Sequence, residues 1–292
     1  MRVIYILISL QLFLFESSFG QIKKFEPDTI FSYKKIDQVD LKFHLFIPER
    51  KTISKKLPVI IFFFGGGWTG GNPSQFYEQA AYFKSRGIVA ISAEYRVKGK
   101  HQTTPFECVK DGKSAIRWLR KHAEELSIDP NKIVAAGGSA GGHVAACTGV
   151  IDGYEEEGEN LNISSVPNAL VLFNPVLDTT KKGYGSGKMD GRVTEISPNH
   201  HVKTGIPPTL IFHGDADTTV PFENAVRFDS LMKSAHNECK LIVAKGQSHG
   251  FFNGKFFRPK NDEKFFIETM YQTDIFLNNL GYLKGNPITE KK

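Results

Sequence analysis

Three segments of this chain carry side chains that together make an acyl-transfer catalyst. Gly137-Gly138-Ser139-Ala140-Gly141 fits G-x-S-x-G, directly follows an apolar run (Ile133–Gly137) that reads as a strand, and leads into a predicted helix from Ala140. A serine on so sharp a strand-to-helix turn is thrust out of the chain. Side chains two positions either way would collide with neighbouring backbone, hence the glycines. Its hydroxyl needs a base, and the base needs an orienting acid. Downstream, a strand over Pro208–His213 ends in Gly214-Asp215-Ala216-Asp217-Thr218-Thr219-Val220-Pro221. A strand over Lys240–Lys245 is followed by Gly246-Gln247-Ser248-His249-Gly250-Phe251. Ser139, an aspartate and His249 therefore occur in that order, each just past the carboxyl end of a predicted strand, where open α/β sheets place their sites.

Two aspartates compete for the acid. Asp217 lies deeper in its loop and can turn back over the sheet toward His249, whereas Asp215 sits beside the strand end, where a turn former bonds its own backbone. Asp217 is the expected acid and Asp215 the alternative. A serine acyl-transfer site also needs donors where the tetrahedral oxyanion develops. Phe64-Gly65-Gly66-Gly67-Trp68 ends another strand with backbone that can approach a substrate closely, and the Ala140 N–H at the positive end of the following helix is a second natural donor. His143, one helical turn after Ser139, is expected to pack; His213 ends its strand; His200 and His201 have no assigned partner.

The elements that must position these residues alternate. Phe31–Ile36 and Leu41–Ile47 read as an antiparallel edge pair, Leu57–Phe64 as a strand buried on both faces, and residues 72–86 as a helix. Ile88–Tyr95 is a strand. Thr104-Pro105 caps a long helix through Leu126, and Asp129-Pro130-Asn131 is a turn. Ala169–Phe173 is a further strand, and helices are predicted over Phe222–Ala235 and Asp262–Leu280. Strand–helix alternation predicts an α/β domain: a mostly parallel sheet with helices on both faces. Residues 175–206, glycine-rich and without periodicity, are read as a small cap insertion over the carboxyl ends of the strands.

The 292 residues hold 37 Lys+Arg against 31 Asp+Glu, a net charge of +6, with 40% hydrophobic residues, which excludes a disordered chain. The lysines are scattered without an aromatic-interleaved stripe, so nucleic acid is not an expected partner. Residues 1–20 read as a signal peptide: Arg2, an apolar stretch from Val3 to Phe15, and Ser18-Phe19-Gly20 before cleavage. The mature chain, 21–292, is then a single domain with no membrane-spanning segment, exported to the periplasm or medium. Three cysteines (Cys108, Cys147, Cys239) read as small buried hydrophobes, with a Cys108–Cys147 bridge left open; none has metal spacing.

FFFGGGW, AEYRV, DGKSAIRWLRKHAEELSIDPNKI, GGSAGGH, SPNHHV, PPTLIFHGDADTTVP and GQSHGF, spread over roughly residues 55–255, resemble an α/β-hydrolase of the carboxylesterase/lipase kind with an HGGG-type loop. The resemblance is nearest to secreted bacterial carbohydrate esterases, feruloyl- or acetylxylan-esterase-like. It implies Ser139 as nucleophile, Asp217 as acid, His249 as base, and Gly66, Gly67 and Ala140 as oxyanion donors, with no metal or organic cofactor. It also implies a substrate bearing acetyl or feruloyl esters on a carbohydrate. Phe64 stands where the family's histidine precedes the glycines, so the loop must be held by packing, with Phe63 and Trp68 as the expected contributors. Arg96 and Asp111 match a supporting ion pair, or else lie at the surface. The rivals are a serine peptidase resembling the prolyl-oligopeptidase group, which shares the HGDADTTVP and SHGF words, and a non-catalytic binding module.

Overall fold

The computed structural model describes residues 25–49 and 56–288. The expected signal peptide lies outside the described residues. Among the described residues eight strands, β1 (Thr29–Ile36), β2 (Val39–Phe46), β3 (Leu57–Phe63), β4 (Val89–Ala93), β5 (Ile128–Gly138), β6 (Ala169–Phe173), β7 (Thr209–Gly214) and β8 (Cys239–Ala244), form one sheet in the order β1-β2-β4-β3-β5-β6-β7-β8. β1 and β2 pair antiparallel, β2 pairs antiparallel with β4, and every other neighbour is parallel.

Six α-helices of the described residues accompany them: α1 (Tyr77–Ser85), α2 (Lys98–His101), α3 (Pro105–Lys121), α4 (Ala140–Val150), α5 (Phe222–Ser234) and α6 (Glu263–Asn279). Side chains alternate across each strand, so one sequence builds two cores. Val59, Ile61 and Phe63 of β3 pack with α3, α4 and α5, whereas Ile60 and Phe62 pack with α1 and α6. β5 repeats the pattern, Ile133 and Ala135 on one side and Val134 and Ala136 on the other. Two covered faces explain why the strands read as unbroken apolar runs.

The span read as one helix over 72–86 is a 3₁₀ turn, Pro73–Phe76, followed by α1; β4 ends at Ala93 and not at Tyr95; α2 is not among the expected helices; and α3 and β5 also differ from expectation. α3 starts as read, with Thr104 as N-cap and Glu107 closing a capping box, but ends at Lys121 rather than Leu126. The chain must turn there, with Ser127 at φ 51°, so that Ile128 can enter the sheet beside Leu57. β5 thus begins before the Asp129-Pro130-Asn131 turn. That turn exists, with the Asn131 N–H donating to Asp129 Oδ1 at 2.9 Å, but as a bulge: Leu57 opposes Ile128 and Val59 opposes Ile133. Cys108, Cys147 and Cys239 are buried free thiols, so no bridge joins the first two.

The crossover from β6 to β7 has no α-helix. Residues 175–206 hold two short 3₁₀ turns, Ser186–Lys188 and Pro198–His200. Met189 and Ile196 nonetheless enter the core beneath α4 and α5. Side chains satisfy part of its backbone: the Thr179 N–H donates to Ser197 Oγ, and Thr179 Oγ1 donates to the Val193 carbonyl.

Candidate active site

β5 delivers Ser139 at φ 56°, ψ −121°, a left-handed backbone that a non-glycine residue adopts only when its surroundings enforce it. They do so by close approach. A Cβ on Gly137 would meet the Gly141 carbonyl and lie 2.8 Å from Phe63 O, and one on Gly141 would overlap both Phe63 O and Phe64 O. The first turn of α4 can therefore lie against the end of β3 only because these two residues lack side chains. Ser139 itself is half-buried.

His249, past the end of β8, places Nε2 3.0 Å from Ser139 Oγ and Nδ1 2.7 Å from Asp217 Oδ2. Asp217, past β7, has a buried carboxylate whose Oδ1 accepts the N–H groups of Thr219 (2.8 Å) and Val220 (3.0 Å). Burial pushes the Asp217 carboxyl up, but the adjacent His213 and His249 imidazoles and the Val220 N–H outweigh it and hold the group well below the usual carboxylate range. Because Asp217 only accepts, the proton of His249 sits on Nδ1 and leaves Nε2 as acceptor for the serine hydroxyl.

The glycine loop after β3 lies beside this line: a Cβ on Gly65 would be 3.3 Å from Ser139 Cβ. The Gly66 carbonyl accepts from the N–H groups of Thr69 (3.0 Å) and Gly70 (3.2 Å). A trans peptide sets N–H opposite C=O, so pinning Gly66 O turns the Gly67 N–H the other way. Among the described residues neither the Gly66 nor the Gly67 N–H donates to a protein acceptor. The Ala140 N–H opens α4, where the first amides of a helix lack intrahelical partners. These atoms are available to an anionic oxygen beside Ser139.

The apo form of Thermogutta terrifontis esterase 2 matches this fold with a TM-score of 0.84 at 43% identity, covering 90% of this chain and 98% of that one. The chain belongs to the α/β-hydrolase esterases. The same esterase phosphorylated by paraoxon matches this α/β-hydrolase with a TM-score of 0.83 at 44% identity, over 88% of this chain and 96% of that one. Residues 44–182 match the BD-FAE family and residues 163–269 the prolyl oligopeptidase family. An acetylxylan esterase of Xylanibacter ruminicola is 28% identical over 211 residues, 66% of this chain and 41% of that protein. A probable isoprenylcysteine alpha-carbonyl methylesterase of Arabidopsis thaliana is 29% identical over 237 residues, 73% and 49% respectively. This hydrolase spans about half the length of the curated relatives it matches.

The other residues singled out from sequence take structural contacts around the site, some as expected and some not. Asp215 does not bond its own loop; Oδ1 accepts the Gly246 N–H at 2.6 Å, tying the loop after β7 to the one after β8. His213 lies against Asp217, its Nε2 donating to Val220 O at 3.0 Å with Asp217 Oδ2 3.4 Å away. His143 packs as expected, edge-on to Trp68, with Nε2 donating to Ile196 O at 2.6 Å. His200 and His201 have partners inside their own segment, Ser197 Oγ and Thr194 O. Arg96 and Asp111 are no surface pair: Asp111 is fully buried, accepts from the Arg96 guanidinium and backbone N–H, and also holds Lys34.

The glycine loop departs furthest from expectation. Phe64 stacks on Tyr95 at 4.4 Å between centroids, in the same buried cluster as Phe63 and Trp68. Side-chain hydrogen bonds hold the backbone as well: the Tyr95 hydroxyl donates to Phe64 O at 2.6 Å, and the Gly65 N–H donates to Gln75 Oε1 at 2.6 Å. Gln75 carried no sequence signal, because a glutamine in a polar helix start looks like surface.

Proposed function

We propose that the protein is a serine carboxylic-ester hydrolase that removes acetyl or feruloyl groups from a polysaccharide or oligosaccharide. The observation that carries this reading is the unbroken hydrogen-bond line Ser139–His249–Asp217 beside free glycine-loop amides. Ser139 Oγ attacks the acyl carbon while His249 Nε2 takes its proton, and Asp217 stabilises the imidazolium through Nδ1. The oxyanion is received by the N–H groups of Gly66, Gly67 and Ala140. His249 then protonates the departing alcohol, leaving an acyl ester on Ser139. Water, deprotonated by His249, attacks that ester, His249 returns the proton to Ser139 Oγ as the acyl bond breaks, and the carboxylic acid leaves and ionises in solvent.

Solved structures of the Thermogutta terrifontis esterase with propionate and with butyrate, each at 43% identity, favour a short acyl group. The acetylxylan esterase relative supports acetyl on a sugar. The match of residues 163–269 to the prolyl oligopeptidase family favours a peptidase as second reading. The N-terminal sequence supports export, checked by finding Gln21 as the mature N-terminus.

A panel of p-nitrophenyl acetate, longer acyl esters, methyl ferulate, acetylated xylan and a prolyl anilide separates the readings. Wild type turns over esters, a fluorophosphonate labels Ser139 alone, and Ser139→Ala loses several orders of magnitude in kcat with its fold intact. Preferred cleavage of the anilide would establish the peptidase; no turnover and no labelling would establish a binding module.

A further inference from the structure

The peptide that launches the glycine loop is gripped at both ends. Tyr95 holds the carbonyl of the Phe64–Gly65 peptide and Gln75 holds its N–H. Fixing both ends of one planar group fixes its orientation, and with it the direction in which Gly66 and Gly67 leave. Gln75 does more than accept. Its Nε2 donates to Asn253 Oδ1 at 2.9 Å, and Asn253 Nδ2 donates to Gly250 O at 2.7 Å, one residue past His249. The Gly250 N–H in turn donates to Asn174 Oδ1 at 2.9 Å, at the end of β6. Gln75 is almost fully buried and Asn253 is completely so, so these bonds meet no competition from solvent.

We propose that Gln75 is a positioning residue for ester hydrolysis: through Gly65 on one side and Asn253 on the other, it sets the oxyanion amides and the His249 loop in a common frame. This rests on the hydrolase reading above. An amide of this length suits the place, since it can accept from Gly65 through one atom and donate to Asn253 through another. The chain of amides supplies the loop with the hydrogen bonding that Phe64 cannot.

The loop's aim is felt when negative charge develops, so its loss appears in kcat and not in ground-state binding. Gln75→Met keeps the length of the side chain and removes both bonds. It should lower kcat about 10- to 100-fold on p-nitrophenyl acetate, with KM unchanged within about twofold, somewhat less than deletion of a whole oxyanion donor. The inhibition constant of a trifluoromethyl ketone, which forms a tetrahedral adduct, should rise by the same factor. Gln75→Glu, which still accepts from Gly65, should fall between Met and wild type. Gln79→Met is the control: Gln79 is a buried glutamine of α1 whose Nε2 meets Phe252 O at 3.3 Å, and it should lose thermal stability with kcat retained.

Hydrogen exchange reads the same coupling without turnover. In Gln75→Met it should quicken in peptides spanning both 64–71 and 249–254. Overturning results are a Gln75→Met kcat within twofold of wild type, a loss no different from that of Gln79→Met, or exchange that quickens in one segment only. Fluorophosphonate labelling of wild type at Ser139 judges the hydrolase reading separately, so its failure is distinguishable from failure of the Gln75 assignment.

Discussion

Replacing Asp217 by asparagine changes one atom and should invert the tautomer of His249. Oδ1 of Asp217 accepts two backbone N–H groups, from Thr219 and Val220. An asparagine must keep its carbonyl oxygen on that side, because an amide NH₂ there would face two donors. The NH₂ is then forced into the position of Oδ2, 2.7 Å from His249 Nδ1. Nδ1 must become the acceptor, the imidazole proton moves to Nε2, and Nε2 donates to Ser139 instead of receiving its proton. The substitution therefore removes general base catalysis while leaving the geometry in place. In a protease triad the same exchange costs about 10⁴ in kcat, or roughly 5 kcal/mol of barrier, and a similar loss is expected here. The new NH₂ also faces His213 Nε2, a donor 3.4 Å from Oδ2, which adds a stability loss of about 1–3 kcal/mol. Asp215→Asn still accepts the Gly246 N–H and should keep kcat within about threefold of wild type. Steady-state kinetics on p-nitrophenyl acetate, with melting curves alongside, decides. More than a tenth of wild-type kcat in Asp217→Asn, or a larger loss in Asp215→Asn, refutes the reasoning.

Two further perturbations follow from the packing. Burial holds the His143 imidazole down at about 4, against an ordinary value of 6.5, so the unfolded chain binds its proton first as pH falls. The stability this group contributes is complete above pH 6.5, declines below it and levels off near pH 4, a loss on the order of 3 kcal/mol. Melting temperature measured across that range should fall in wild type and fall less in His143→Gln; equal slopes would mean that His143 is not responsible. Gly141→Ala drives a methyl into Phe63 O and Phe64 O, backbone atoms that cannot rotate away. It should cost at least about 1–3 kcal/mol and lower the midpoint by several degrees, with kcat falling more than KM rises; an unchanged midpoint counts against the close approach.

Much of the fold was legible because burial on both faces of a parallel sheet leaves an unmistakable mark, as in Leu57–Phe63 and Ala169–Phe173. Ser139, Asp217 and His249 stood out for a related reason: each follows a strand, in a short segment of glycine and polar residues that a core would not contain. What remained hidden depends on contacts between distant segments. The apolar spacing of α3 continues into Leu126, so nothing local announces the turn at Ser127 that β5 requires. Asp129-Pro130-Asn131 carried a true turn signal, but whether a turn ends a strand or bulges within it is settled by the register of β3. Gln75 and Asn253 lie 178 residues apart, and each acquires its partner only when the loops after β3 and β8 meet. His213 read as a strand end because its neighbour Asp217 lies on the far side of a turn.

The helix-free crossover bears on how such a protein can change over generations. A helix must keep an apolar stripe in register over its whole length, so most substitutions in it are felt by the core. The chain from 175 to 206 is anchored by two buried runs, 175–179 and 196–199, and by Met189, and the more exposed stretches between them are free of any repeat. Yet it reaches the glycine loop of the candidate site: Lys188 Nζ donates to Gly67 O at 2.9 Å and lies over the rings of Trp68 and Tyr184. Insertions and exchanges there can reshape what is admitted beside Gly67, while Ser139, Asp217 and His249, borne on β5, β7 and β8, keep their spacing. Variation beside Gly67 is thereby separated, along the chain, from the segments that hold the Ser139–His249–Asp217 line.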